Sequence, residues 1–156
     1  MNDVQAETRL LVTDCIRKDS LNPTLLVGFP NNNNNQKEHF VQLDVIIVAH
    51  SKKYGTKDFN TAVHVLMNLR DHFNQPGNVF CLPRELNKAK RNLTRMYLNG
   101  IDASTVPPIS KRLHNYINLA TVEATIHIGN TPDVNQTFKN QLRGYVDWLG
   151  NLKCEL

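Results

Sequence analysis

Two spacings of apolar residues run through this chain, one of two positions and one of three to four, and they predict its elements. Val41, Leu43, Val45, Ile47 and Ala49 share one period-two face with Gln42 and Asp44 on the other, which predicts a central strand over Phe40–Ala49. Ala120, Val122, Ala124, Ile126 and Ile128 alternate with Thr121, Glu123, Thr125 and His127 and predict a second strand. Arg9–Cys15 and Thr24–Phe29 are short apolar stretches bounded by polar, Pro and Gly residues and read as two more strands, with Val79–Leu82 as a fifth, short one.

The longer spacing predicts helices. Phe59, Ala62, Val63, Leu66, Leu69 and Phe73 line one side of a helix that Thr56 or Asp58 can cap and Gln75-Pro76-Gly77 stops. Pro83 opens a helix that runs to about Leu98 and closes at Asn99-Gly100. A shorter helix follows Pro107-Pro108. A last one starts at Thr131-Pro132-Asp133, with Val134, Phe138, Leu142, Tyr145, Val146 and Leu149 as its apolar face. The expected order is β-β-β-α-β-α-α-β-α.

Because the two clearest strands have one apolar and one partly polar face, the expected fold is α+β. It is a single domain over residues 1–156, with a mixed, mostly antiparallel sheet and three or four helices packed mainly on one face. The five asparagines Asn31 to Asn35, followed by Gln36, are the one low-complexity segment and read as a flexible Asn-rich loop over 31–36.

Composition narrows the class. With 40% hydrophobic and 21% charged residues the chain is an ordinary globular one, which excludes a disordered class. No apolar run nears the roughly 20 residues of a spanning helix, and Asp3, Glu7, Arg9 and Asp14 interrupt any secretory stretch. The expectation is a cytoplasmic protein with no membrane partner, in the host cytoplasm if the abundant asparagine reflects a viral, AT-rich coding sequence. Cys15, Cys81 and Cys154 are odd in number and widely spaced, so free thiols are expected rather than a disulfide framework. The dispersed histidines offer no ligand spacing, and neither metal nor cofactor is expected.

The distribution of charge is more informative than its total. Between Arg84 and Arg112, seven bases face only Glu85 and Asp102; that excess of five leaves the rest of a +4 chain slightly negative. Acidic polymers are the partners such asymmetry favours. On the predicted helix, Arg84, Lys88, Arg91 and Arg95 are spaced four, three and four apart and form one row about 16 Å long at 1.5 Å per residue. Leu86, Ala89, Leu93, Met96 and Tyr97 lie opposite and would anchor it. Lys111 and Arg112 extend the basic surface, and Lys52, Lys53 and Tyr54, in an expected loop over Ser51–Lys57, add charge and a stacking ring.

The expected function is therefore non-enzymatic nucleic-acid binding, RNA before DNA, through backbone contacts. One alternative is a structural or assembly protein, viral or otherwise, whose basic helix meets an acidic protein surface or a second copy of itself in a homo-oligomer. Another is a small hydrolase using His50 or His127 at a strand end. That set lacks a glycine elbow, an oxyanion loop and a nucleophile motif, so no catalytic residue is assigned. Gly100 to Val106 resembles the turn of a helix-turn-helix, but Pro107 and Pro108 would fall inside the recognition helix at a cost of about 3 kcal/mol each.

Overall fold

Five consecutive buried residues, Val79–Pro83, make the strand β2 at the centre of the molecule. The computed structural model describes residues 21–54 and 67–156, with side chains for 21–50 and 67–156. Strand β1, Asn35–His39, pairs antiparallel with β2, from Asn35 opposite Pro83 to His39 opposite Val79. Among the described residues these two strands form the whole sheet. Among the described residues, five α-helices complete a single body: α1 (Leu43–Tyr54), α2 (described over residues 67–73), α3 (Arg84–Leu98), α4 (Lys111–Gly129) and α5 (Gln136–Gly150). The fold is thus a mostly helical α+β rather than a broad sheet with helices on one face.

Both strands expected from alternation are helices. Phe40–Ala49 becomes the entry to α1, where Val45, Ile46, Ile47, Ala49 and His50 are all buried. A continuous apolar run of this kind suits a buried helix as well as a buried strand, because Ile46 and Val48 occupy the supposedly polar face. In α4 the buried positions are Leu113, Tyr116, Ile117, Ala120, Ala124 and Ile128, a spacing of three and four, while Val122 and Ile126 face outward. Packing of α4 against α5 overrides the low helix propensity of its Thr, Val and Ile residues. Thr24–Phe29 is not a strand either. It makes single bridges, Thr24 to Phe80 and Leu26 to Phe29, around Gly28 at φ +85°. Arg9–Cys15 and Thr56 to Leu66 lie outside the described residues.

The punctuation around α3 agrees with the structure, whereas the expected helix start at Thr131-Pro132-Asp133 does not: Asp133 sits at φ +58° and Asn135, not Thr131, caps the last helix. Asn99 and Gly100 close α3 with Gly100 at φ +76°; Ile101 N–H donates to Met96 O and Gly100 N–H to Tyr97 O, a Schellman ending. Ser110 caps α4 by accepting from Leu113 N–H, and Asn135 caps α5 by accepting from Phe138 N–H. The 31–36 segment divides. Residues 31–34 turn, but Asn35 and Gln36 already pair in β1.

A buried asparagine joins the parts. Asn78 accepts from Val41 N–H at 2.8 Å and donates to Val41 O and Phe73 O at 3.0 Å each, tying the end of α2 to the chain between β1 and α1. Around it Phe29, Phe40, Phe80 and Tyr116 meet edge to face at 5.6–6.2 Å. None of the described helices is long and apolar enough to cross a membrane.

Candidate nucleic-acid interface

Helix α3 carries the expected row. Arg84, Lys88, Arg91 and Arg95 are all exposed, and among the described residues none of them is ion-paired. Leu93 is buried behind them, with Leu86, Ala89, Met96 and Tyr97 packed against the core. Glu85 is the one acid in the helix and sits in its first turn, where it complements the helix dipole rather than the row.

Lys90 is a correction to the charge count. It is 0% exposed and belongs to the core rather than to the basic surface. Its Nζ donates to Phe40 O at 2.7 Å and to the Tyr145 hydroxyl at 2.8 Å, and it faces Glu38 Oε1 at 3.2 Å. Thr94 Oγ1 lies 2.9 Å from the same Tyr145 oxygen, and the Tyr116 hydroxyl donates to Glu38 Oε2. Burial alone would lower the pKa of Lys90, but Glu38 and the Tyr145 oxygen together hold it above the ordinary lysine value. Burial, then the Glu38 carboxylate, pushes Tyr116 well up. The cluster is therefore a Lys–Glu ion pair hydrogen-bonded to two tyrosine hydroxyls and closed to solvent. Lys90 and Thr94, four apart on one face of α3, are the only polar side chains of the cluster that lie near each other in sequence.

The row borders a polar groove of about 530 Å³. One wall is the asparagine turn, with Asn31, Asn32, Asn33 and Asn35; the floor and far wall are Gln36, Lys37, Asn87 and Arg91. Asn34 N–H donates to Asn32 Oδ1 at 3.0 Å and Asn35 Nδ2 to Pro30 O at 2.8 Å, so the turn is hydrogen-bonded into shape. Asn87 is 2% exposed. Its Nδ2 donates to Gln36 Oε1 at 2.7 Å, while its Oδ1 is buried without a hydrogen-bond partner. The groove thus offers amide donors and acceptors beside a guanidinium.

No family model, curated protein or solved structure matches this chain.

The remaining candidates separate. Lys111 and Arg112 are exposed in the first turn of α4, and the Arg112 guanidinium lies 5.5 Å from the Phe29 ring centre. Lys52, Lys53 and Tyr54 are the last residues of α1 rather than a loop; their side chains, and Lys57, lie outside the described residues. His50 and His127 are not at strand ends. His50 is buried within α1, and His127 is on α4, stacked on His72. No group of three metal-ligating side chains occurs among the described residues. The helix-turn-helix resemblance fails on length, since twelve residues, containing a 3-10 turn at Ala103–Thr105, separate Leu98 from Lys111.

Proposed function

We propose that this protein binds single-stranded nucleic acid, RNA before DNA, by holding the phosphate backbone without acting on it chemically. The observation that carries this reading is that Arg91 belongs at once to the exposed basic row of α3 and to the amide-lined groove. Four cations along about 16 Å of helix match several successive phosphates, and release of their counterions would supply the affinity. The groove beside them favours a strand whose bases are unpaired, and an amide wall gains a further partner from the ribose 2′-hydroxyl.

Replacement of Arg84, Lys88, Arg91 and Arg95 by Gln tests it. Glutamine is a comparable helix former and leaves Leu93, Asn87 and Lys90 untouched, so the fold survives while binding to random oligonucleotides is lost. For the wild type, log K falls with log salt by roughly 0.7 per contacted phosphate. Undetectable binding by the wild type at low salt would sink the proposal.

A further inference from the structure

We propose that the groove between the asparagine turn and α3 is a pocket for the hydrogen-bonding edge of one nucleobase, read by Asn87, with Arg91 on the adjoining phosphate. This rests on the nucleic-acid reading of the α3 row and extends it from backbone to base.

Asn87 is the observation behind it. A buried amide oxygen without a partner carries a desolvation cost that native proteins rarely leave in place. The other end of the Asn87 amide already holds Gln36, a neighbour on the same side of the groove. That bond joins a buried side chain to an exposed one. A base edge takes over Asn87 by displacing Gln36 outward, with no opening of the core. An asparagine amide offers an acceptor and a donor side by side, the pattern that pairs with the donor and acceptor edge of a base. The hydrogen bonds within the turn, Asn34 to Asn32 and Asn35 to Pro30, hold the opposite wall in place before any ligand arrives. The volume of about 530 Å³ lies in the range of small-ligand sites.

The proposal separates base recognition from backbone attraction, and the test uses both. A twelve-nucleotide RNA and an abasic strand of the same length are titrated against the wild type, Asn87→Leu and Gln36→Ala, with melting curves to confirm folding. The wild type is expected to prefer the base-bearing strand by about fivefold or more. Asn87→Leu loses that preference and keeps the salt slope. Gln36→Ala, which gives up one hydrogen bond and frees Asn87 Nδ2, binds the base-bearing strand more tightly. Equal, salt-dependent affinity for both strands overturns the pocket and leaves the row standing. If neither strand binds, the backbone reading falls, and millimolar AMP and CMP followed by the side-chain amide signals of Asn87 and Gln36 decide the pocket alone. Movement of both signals supports it, and stationary signals overturn it.

Discussion

His72 and His127 clasp each other: His72 Nε2 donates to His127 O at 2.9 Å, His127 Nε2 donates to His72 O at 2.6 Å, and the rings stack 3.9 Å apart, 8° from parallel. Both bonds are donated by Nε2–H and join the end of α2 to α4. Burial lowers the pKa of His127; the hydrogen bond to His72 opposes that shift and charge on His72 adds to it. Between the lowered folded value and the ordinary value near 6.5, the unfolded chain binds more protons, so stability rises with pH across that window. The stability that comes from holding His127 neutral is fully present above about pH 6.5 and is lost as pH falls through the lowered folded value. Melting temperature between pH 7.5 and 5.5 should drop more for the wild type than for His127→Gln. Parallel curves would remove His127 as the cause.

The same histidine explains a glycine. A Cβ on Gly77 would lie 2.4 Å from His127 Nδ1 and 2.7 Å from its Cγ. The ring is held at its other nitrogen by His72 and cannot simply swing aside. Gly77→Ala should therefore cost about 1–3 kcal/mol, the range of overpacking strain. Most of that loss should disappear when measured in a His127→Ala background. Additive losses in the double-mutant cycle would place the strain elsewhere.

The Lys90–Glu38 pair makes an asymmetric prediction. Removing one partner leaves a buried charge uncompensated, so Lys90→Ala should cost about 3–5 kcal/mol. Lys90→Met combined with Glu38→Leu should be less damaging than Lys90→Ala, because both charges leave together and volume is kept. Tyr116→Phe deprives Glu38 Oε2 of its donor and should cost about 1–3 kcal/mol. Urea unfolding of the three variants checks the order.

Val122 and Ala124 show how far the sequence could be read. As a strand, 120–128 would bury both on one face, and Val122→Asp would unfold the domain. In α4 Val122 is 61% exposed and Ala124 1%, so Val122→Asp should change stability by about 0.5 kcal/mol or less, while Ala124→Asp should unfold much of the population. Elements with start and stop signals, such as Pro83 before α3 and Gly100 after it, were legible from local chemistry. The β-branched stretches of α1 and α4 were not, because packing against α5 decides them. The basic row needed only a helix and a spacing. The groove pairs Asn31 to Lys37 with Asn87 and Arg91, residues about fifty positions apart, and no local pattern announces that meeting.

The asparagine run is where fold and function make separable demands. Residues 31–34 turn outside the sheet and are exposed, so a Gly/Ser replacement of Asn31 to Asn34 should lower the melting temperature only slightly. Asn35 and Gln36 are different, because they pair with Pro83 and Leu82 and Gln36 holds Asn87. Extending the replacement to 31–36 should cost a further ~1–2 kcal/mol, the scale of one or two lost hydrogen bonds. The shorter replacement also strips amides from one wall of the groove while leaving the α3 row intact. It should therefore weaken binding of a base-bearing strand more than that of an abasic one, with an unchanged salt slope. Loss of stability as large in the 31–34 variant as in the 31–36 variant would show that the turn, rather than its junction with β1, supports the fold.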